Sequence, residues 1–591
     1  MNETLSQIGY SENPDTRVWS RPNFKGIEYS DGDDIEQRIE ANIAQTNDIS
    51  ILSLELRRHC IDWPSVYHLS GSRANLLRPL AHMLHNADVL ELGAGCGAIT
   101  RYLGEQGANV LALEGSLRRA RIARSRTRDL KNVTVVADRL ADFSTAARYD
   151  IVTLIGVLEY ASVFSDAEQP ALSILRQAGA LLKPNGRLVI AIENQLGLKY
   201  FAGYPEDHIG QPMYGVEGRY KKGEPQTWGR KALHSLLLNS GFKKIEFCAS
   251  YPDYKLPVSI VSEHGFSDDQ FDASVFGWQN VRRDPQYRAN LAFSPELVHP
   301  ILAENGIALD MANSFLVIAG LNEGVELNEP ALAWHYSTER KRAFCKETRF
   351  LRSEDRVIKV KYKSLAGDED RDFSEGQLIR FSLAPSAPYI AGRPLSLDFI
   401  RLISQDGWRI EDVGTFLKDY LRIISVIAKN RGQTLNVETT QDIIPGEYFD
   451  CVPGNIIIRS DGSCEAIDQE WELAEEISVG YLLFRALHLL IIAVSRFGKF
   501  DGSMTPTPLG FIQAAFEAAS FPETVEAIES YAKKEARVQA DVSGTTHNMI
   551  EWIHSTPLPG HSIIPAAPSC SVAPENPKPR SIFAPLRKLL R

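Results

Sequence analysis

The chain has 591 residues, of which 44% are hydrophobic and 24% are charged, and its formal net charge is −11. This length exceeds what one hydrophobic core can organise, so we expect two or three domains of ordinary globular composition. The acidic balance argues against a general nucleic-acid-binding protein, and we expect no nucleic-acid partner.

The cysteines and the N-terminus predict a cytoplasmic protein. The seven cysteines are scattered and form neither Cys-x-x-Cys pairs nor groups with histidine at metal spacing, which fits a reducing compartment. The first residues lack the basic region and apolar core of a signal peptide. The longest apolar run, 481–497, is interrupted by Arg485, His488 and Arg496, so we predict no membrane span.

Residues 1–80 are predicted to form an irregular arm followed by a helical cap. Segments 34–46, 50–60 and 73–84 place apolar residues at helical spacing. The aromatic-rich turn between them has two interpretations. It is either packed core of the cap, or part of a lid in which Arg73 or Tyr67 meets a carboxylate of a bound cofactor.

The most informative stretch is 88–97, Asp-Val-Leu-Glu-Leu-Gly-Ala-Gly-Cys-Gly. Its alternating apolar residues predict a buried strand, and Gly93, Gly95 and Gly97 then turn the backbone into a helix. Glycines here let a cofactor pack against the amide groups of a helix N-terminus. Together with Glu91 they form the pattern Glu-x-Gly-x-Gly-x-Gly.

Strands and helices alternate after this turn. Further strands are predicted at 109–113, 133–137, 149–158, 186–192, 244–250 and 314–320, which favours a parallel sheet with helices on both faces. Glu114 lies seventeen residues beyond Gly97, where an acidic side chain accepts hydrogen bonds from ribose hydroxyls. Asp138, after the next strand, is a candidate for binding an adenine amino group.

The glycine pattern lacks the Gly-x-Gly-x-x-Gly of nicotinamide and flavin sites, and this segment resembles class I S-adenosylmethionine-dependent methyltransferases. The resemblance implies an α/β fold with a Rossmann-like seven-stranded sheet over residues 81–325. It also implies S-adenosylmethionine as the cofactor, bound by the glycine turn with Glu91, Glu114 and Asp138. The alternative is a Rossmann-like domain with a different occupant.

Polar residues follow the fourth and fifth strands, at the edge where open α/β sheets bind their ligands. Glu159 follows the fourth strand and Glu193 the fifth, and the long loop after them contains His208. We expect this loop to cover the acceptor, because it is too long for a simple connection. His208 is the acid/base candidate and Glu159 a second catalytic candidate; the alternative for His208 is an ordinary surface residue.

The second helix of this domain is rich in arginine. We interpret the run as a solvated face, and the alternative is a surface for an anionic substrate or a lipid headgroup. The run consists of Arg118, Arg119, Arg121, Arg124, Arg126 and Arg128.

From about residue 330 the pattern changes to paired strands, 343–352 and 356–362, with Lys359 on the second strand and a helix from about 373. Asp450 and Asn455 are five residues apart, and a hairpin of thirteen residues returns the chain to Asp468. This set of side chains suits phosphoryl transfer. In that reaction one carboxylate accepts the proton of a hydroxyl, while an amide and a second carboxylate bind magnesium. The alternative is that these are unrelated turn residues.

The order Lys359, Asp450, Asn455, Asp468 resembles the protein-kinase and aminoglycoside-phosphotransferase superfamily. The resemblance implies an α+β kinase-like domain over residues 326–555 that binds ATP and Mg²⁺. Asp450 would be catalytic, Lys359 and Glu375 would lie at the nucleotide, and Asn455 and Asp468 would bind the metal. Gln-Glu follows Asp468 where kinases have Phe-Gly, which leaves a regulatory pseudokinase as the alternative.

Together the two halves resemble the bifunctional kinase-methyltransferases that terminate bacterial O-antigen polysaccharides. The resemblance implies a glycan or glycolipid acceptor that is first phosphorylated and then methylated on the phosphate. The long heptad tail of that family is missing here. The alternatives are a nucleotide-sensing scaffold and a small-molecule methyltransferase.

Residues 556–591 are predicted to form a proline-rich linker and a basic amphipathic tail. In the tail, Arg580, Arg587, Lys588 and Arg591 surround an apolar face made by Ile582, Phe583, Leu586, Leu589 and Leu590. We predict a helix that lies on the inner membrane face. A helix that docks on a partner protein and a disordered segment are the alternatives.

Overall fold

The computed structural model describes residues 2–28, 30–165, 167–326, 330–367, 378–500, 502 and 504–560. These residues group into two compact units. Among the described residues, the first contains the chain up to His264 and the stretch from Ile307 to Pro330, and the second contains Gly265 to Gly306 and the stretch from Ala331 to Gly560. Residues Gly265 to Gly306, which lie between the predicted strands 244–250 and 314–320 of the first domain, therefore group with the second unit.

The N-terminal residues form short elements: helices Asn2–Gln7, Asp33–Gln45, Leu54–Arg57 and Trp63–Leu69, 3-10 helices Gly71–Leu76 and Arg78–Met83, and strands β1 (Ser11–Glu12) and β2 (Trp19–Ser20). The predicted helix at 73–84 is a pair of 3-10 turns, because Pro79 lacks the amide hydrogen that a continuous α-helix needs there. Asp62 and Ser65 form a capping box that starts the helix Trp63–Leu69.

The first unit is built on a sheet whose remaining strands are β3 (Asp88–Leu92), β4 (Asn109–Glu114), β5 (Val133–Ala137), β6 (Tyr149–Ile155), β7 (Leu182–Glu193), β8 (Lys244–Tyr251), β9 (Ser259–Ser262) and β10 (Ser314–Gly320). Their order is β1-β2-β5-β4-β3-β6-β7-β10-β8-β9. All seven residues of β10 are buried, as expected for a strand covered on both faces. The helices are Ala98–Glu105, Leu117–Arg126, Ala161–Phe164, Pro170–Ala180, Leu198–Phe201, Arg230–Asn239 and Glu263–Ser267.

The sheet is mixed, which corrects the expectation of a parallel one. Strands β2 to β7 pair in parallel, but β10 runs antiparallel to both β7 and β8. The chain reaches β10 at the carboxyl end of β7, where the amide of Asn194 donates to the carbonyl of Asn313 at 3.0 Å. Entry at that edge reverses the strand, and apolar periodicity contains no information about strand direction.

The second unit combines a small antiparallel sheet with helices. The strands β11 (Ala331–Ser337), β12 (Lys346–Arg352), β13 (Ile358–Ser364) and β15 (Ser386–Pro388) pair in that order. Smaller pairs are made by β14 (Ile379–Phe381), β16 (Arg393–Pro394), β17 (Ile443–Ile444), β18 (Ile456–Ile458), β19 (Cys464–Ala466), β20 (Trp471–Leu473) and β21 (Ile477–Ser478). The helices are Ser274–Trp278, Pro295–Glu304, Leu395–Ile403, Ile410–Asn430, Val479–Ala493, Pro508–Ala518, Val525–Ser543 and Met549–Ser555.

Glu375, the helix expected from about residue 373 and the basic tail 580–591 lie outside the described residues. Among the helices that are described, none has both the length and the apolar character needed to cross a bilayer.

Candidate functional site

The three glycines after β3 all have left-handed backbone, with φ of 84° at Gly93, 55° at Gly95 and 82° at Gly97. A Cβ at Gly93 would lie 2.4 Å from Cγ2 of Val157, and one at Gly97 would lie 2.7 Å from Cα of Ala123. A Cβ at Gly95 would meet no described atom within 4 Å. The sequence predicted one role for all three, but the structure uses Gly93 and Gly97 for internal packing and turns only Gly95 of the three toward open space.

Glu114, the last residue of β4, holds this turn. Its Oε2 accepts a hydrogen bond from the amide of Gly95 at 2.7 Å, and its Oε1 accepts one from the amide of Ser116 at 2.8 Å. Each carboxylate oxygen has a second lone pair, so the side chain retains acceptor capacity for ligand hydroxyls.

Glu91 and Arg73 lie deeper than the sequence suggested. Oε2 of Glu91 accepts a hydrogen bond from the Thr100 hydroxyl at 2.6 Å, and burial raises the pKa of Glu91 to about 8. The Arg73 guanidinium donates to the carbonyl oxygens of Tyr254 and Lys255 at 3.1 and 3.0 Å, and to the Tyr67 hydroxyl at 3.0 Å. Arg73 therefore joins the cap to the loop after β8. The sequence predicted only a contact between Arg73 and a cofactor carboxylate, and did not predict this structural role.

Asp138 is covered by the N-terminal arm. Its carboxylate is 2% exposed, accepts a hydrogen bond from the Tyr10 hydroxyl and lies 3.0 Å from the Arg21 guanidinium. Burial and the Asp138 carboxylate raise the pKa of Tyr10 to about 12. The contact of Asp138 with an adenine amino group stays a prediction, and in the structure its carboxylate anchors the arm.

Glu159, Glu193 and His208 come together at the carboxyl ends of β6 and β7. Their exposed fractions are 1%, 0% and 9%. Nε2 of His208 lies 3.4 Å from Oε2 of Glu193, and Nδ1 lies 3.1 Å from the Tyr160 hydroxyl. The sequence placed Glu159 and His208 at this edge, and the structure brings them together. Glu193 was not chosen as a site residue, although its position at the end of β7 was the available signal.

The three side chains differ in protonation. Burial and the neighbouring Glu193 raise the pKa of Glu159 to about 8. Burial alone would lower the pKa of His208, but Glu193 outweighs it and raises that pKa to about 9. Burial opposes ionisation of Glu193 as well, yet Lys255 and His208 hold its pKa well below the usual range. At neutral pH, these shifts favour a neutral Glu159, an ionised Glu193 and a protonated His208.

We call Glu159, Glu193 and His208 the acceptor cluster. A buried layer of side chains with alternating charge supports it. Lys255 forms salt bridges with Glu193 and, at 3.1 Å, with Asp207. Lys199 lies 2.9 Å from Asp207 and 2.8 Å from Asp253. These pairs fix the loop that contains His208 against β7 and the loop after β8.

The arginine-rich helix Leu117–Arg126 holds the cap, which neither interpretation of the sequence anticipated. Arg119 lies 2.8 Å from Glu36 and 2.9 Å from Asp31. Arg126 is fully buried and donates to the carbonyl of His68 at 2.7 Å. The partners lie on the N-terminal elements, so most of the run is neither a solvated face nor an anion-binding surface.

In the second unit, Asp450 and Asn455 are brought together. Nδ2 of Asn455 donates to the carbonyl oxygen of Asp450 at 3.1 Å. The Asp450 carboxylate is 5% exposed and lies 3.9 Å from the Arg485 guanidinium. Burial raises the pKa of Asp450 well above its usual range, although Arg485 opposes the shift.

The lysine near Asp468 is Lys346. Its Nζ lies 2.5 Å from Oδ1 of Asp468 and also forms a salt bridge with Glu470. Lys359, the predicted residue, is exposed on β13, because Ile358 and Val360 occupy the buried face of that strand. Burial favours the neutral form of Asp468, but Lys346 outweighs it and the pKa of Asp468 is lowered.

Residues 90–188 match the family model described as a methyltransferase domain. The chain is 26% identical over 143 residues to the ubiquinone biosynthesis O-methyltransferase of Histophilus somni (strain 2336). That match covers 23% of this chain and 56% of the relative, so it spans little more than half of the relative's length.

Two solved structures are similar to part of the chain. The N-methyltransferase NodS from Bradyrhizobium japonicum WM9, in complex with S-adenosyl-L-homocysteine, is 16% identical, with 38% of this chain and 94% of that chain covered and a TM-score of 0.25. An S-adenosylmethionine-dependent methyltransferase from Mesorhizobium loti is 19% identical, with 41% and 97% covered and a TM-score of 0.25. By the family match, residues 90–188 of the chain form a methyltransferase domain.

Proposed function

Starting from this methyltransferase domain, we propose that the protein transfers a methyl group from S-adenosylmethionine to a phosphate oxygen of a surface glycan or glycolipid, and that the second unit attaches that phosphate from ATP. The main support is the position of the acceptor cluster. The glycine turn packs on Val157 through Gly93, and Glu159 follows Val157 by two residues. Cofactor turn and acceptor cluster are therefore neighbours at one edge of the sheet.

Within the cluster, His208 favours an anionic acceptor. The cationic His208 attracts a phosphate, and an anionic phosphate oxygen needs no base. That oxygen attacks the methyl carbon, the carbon–sulfur bond breaks, and its electron pair stays on sulfur to give a neutral thioether. A hydroxyl acceptor would have to lose a proton, and the depressed pKa of Glu193 makes this anion a poor proton acceptor.

The second unit offers groups for the preceding phosphorylation. Asp450 has a raised pKa, which suits a carboxylate that takes the proton of an attacking hydroxyl. Asp468 keeps its negative charge beside Lys346, as expected of residues that hold Mg²⁺ and nucleotide phosphates. Asn455 would be the second metal ligand, and bound Mg²⁺-ATP would supply the phosphoryl group. Glycan specificity and a membrane contact through residues 580–591 are proposals from the sequence alone.

A second candidate function is a nucleotide-sensing scaffold. Lys346 pairs with both Asp468 and Glu470, so its charge is already balanced by two carboxylates without nucleotide. Such pairing would suit a pseudokinase that binds ATP without transferring its phosphate.

The test combines cofactor binding with acceptor choice. Calorimetry should detect S-adenosylmethionine binding by the native protein and its loss in Gly95→Arg. Labelled cofactor should then methylate phosphorylated sugars and leave their unphosphorylated counterparts unlabelled. Methylation of the unphosphorylated sugars would identify a hydroxyl acceptor instead. ATP binding without phosphorylation of any oligosaccharide would favour the scaffold.

A further inference from the structure

We propose that Glu159, Glu193 and His208 bind a first-row divalent cation, and that this cation contacts the acceptor. Two carboxylates and an imidazole are donors that Zn²⁺ and Mn²⁺ accept. One ligand atom from each residue lies within 4.8 Å of the other two. Cation binding does not depend on the proposed function; only the contact with the acceptor does.

The spacing of the atoms fits a metal. Two ligands that are each about 2.1 Å from a tetrahedral metal lie about 3.4 Å apart. Nε2 of His208 and Oε2 of Glu193 are 3.4 Å apart, too far for a good hydrogen bond. The third ligand atom, from Glu159, lies within 4.8 Å of both of them.

A buried oxygen provides an independent indication. Oε2 of Glu159 is inaccessible to solvent and has no hydrogen-bond partner among the described residues, on a side chain that is 1% exposed. An unsatisfied buried carboxyl oxygen costs folding free energy, on the order of 1–3 kcal/mol. A cation between Glu159 and Glu193 would satisfy this oxygen.

The surrounding residues orient the ligands. The Tyr160 hydroxyl lies at Nδ1 of His208, which directs Nε2 toward the two carboxylates, as outer partners of metal-binding histidines commonly do. The amide of His208 donates to Oε2 of Glu206 at 2.8 Å and fixes the loop backbone. Lys255 engages Oε1 of Glu193, which leaves Oε2 for the metal.

The charges also match. Two ionised carboxylates and a neutral imidazole sum to −2, which a divalent cation cancels. The cation would replace the protons on Glu159 and His208, and its charge would then attract the phosphate in place of the imidazolium. Three protein ligands leave coordination positions for an oxygen of the acceptor. A phosphate oxygen in such a position would be held at the acceptor cluster.

The experiment measures cation binding by the full chain. Equilibrium dialysis against Zn²⁺ and, separately, Mn²⁺ at pH 8.5 should give one equivalent bound per chain; the alkaline pH is chosen because metal ligands must lose their protons. Glu159→Gln retains the shape of the neutral glutamic acid and should still fold. We expect Glu159→Gln and His208→Ala to weaken binding about tenfold or more.

The matched control is His82→Ala, which removes an exposed histidine of the same unit and should bind as the native protein does. Thermal unfolding shows whether each variant is folded. No bound cation on the native protein, or equal binding by folded Glu159→Gln, would overturn the proposal. S-adenosylmethionine calorimetry on the same samples separates the two proposals, because loss of cation binding with intact cofactor binding contradicts only the metal site.

Discussion

Oε2 of Glu114 accepts a hydrogen bond of 2.7 Å from the amide of Gly95, so the last residue of β4 fixes the turn that follows β3. The two residues lie nineteen positions apart in the chain. The left-handed backbone of Gly95 directs its amide toward the Glu114 carboxylate, and that carboxylate accepts the hydrogen bond of the amide.

Replacing Glu114 tests this relationship. We expect Glu114→Ala to weaken S-adenosylmethionine binding by about tenfold or more, because a charge-assisted hydrogen bond to the turn contributes roughly 1.5–3 kcal/mol. Calorimetry measures the change. Asp34→Asn, an exposed carboxylate on the helix Asp33–Gln45, is the control and should bind normally. Unaltered affinity in Glu114→Ala would show that the cofactor does not depend on this turn.

The glycines should separate folding from binding. Gly97→Ala forces a Cβ to within 2.7 Å of the Ala123 backbone, so we expect a clear drop in melting temperature. Gly95→Ala meets no described neighbour and should cost about 1 kcal/mol from its left-handed backbone. Its main effect should be on cofactor affinity. Calorimetric scans with and without S-adenosylmethionine test both, and equal destabilisation by the two variants would contradict the assignment.

Stability should depend on pH through His68. Burial lowers the pKa of His68, but Cys96 and Asp31 outweigh burial and raise the pKa to about 9. Nε2 lies 2.8 Å from Asp31, which also meets Arg119. Because the folded pKa exceeds the unfolded value of about 6.5, the stabilisation is complete below that pH and disappears as the pH rises through about 9.

Unfolding in urea, measured for His68→Gln and for the native protein at a series of pH values, tests this prediction. The difference between their unfolding free energies should be largest near pH 6 and should shrink by about 3 kcal/mol by pH 10. A difference that stays constant over this range would show that His68 is neutral in the folded protein.

Two lysines on neighbouring strands provide a matched pair. Lys346→Met should abolish magnesium-dependent ATP binding, because it removes the charge beside Asp468. Lys359→Met should bind ATP normally, since this side chain is exposed on the other face of β13. Fluorescent nucleotide titration measures both. Loss of ATP binding in Lys359→Met, with normal binding in Lys346→Met, would instead support Lys359, the lysine that the sequence alone indicated.

Asp450 tests whether the two units act in series. Asp450→Asn should lower phosphorylation by about two to four orders of magnitude, as loss of a general base does. When ATP and Mg²⁺ are supplied, methylation of an acceptor that was added without phosphate should fall with it, while S-adenosylmethionine binding stays unchanged. Undiminished methylation would show that the acceptor atom is not this phosphate.

The strands of the first unit could be located from sequence because their apolar runs are buried on both faces; β10 was predicted with the bounds it has. The direction of β10 was not predictable, because it depends on where the chain re-enters the sheet. The sequence predicted Lys359 and did not consider Lys346, since alternation shows which residues share a face of a strand and not which face is covered.

Long-range partners explain the other differences. Asp138 is bound by Tyr10, 128 residues earlier, so its spacing after β5 could not show that it was already engaged. Glu159 and His208 could be placed at one edge because both follow strand ends. Burial and Glu193 raise the pKa of Glu159, whereas Glu193 raises the pKa of His208 against the effect of burial, and a linear pattern contains neither of these influences.

The contact of Arg126 with the N-terminal cap limits how far the first unit can be shortened from its N-terminus and still fold. The Arg126 guanidinium is fully buried, and the partner it reaches is the carbonyl of His68 in the N-terminal cap. A fragment beginning at residue 81 would lack the cap. It would lose the carbonyl of His68 that Arg126 binds, and also the Asp31 and Glu36 carboxylates that pair with Arg119. The first eighty residues therefore belong to the folding core of the first unit, and a truncation at the predicted domain border should yield insoluble protein where the longer fragment folds.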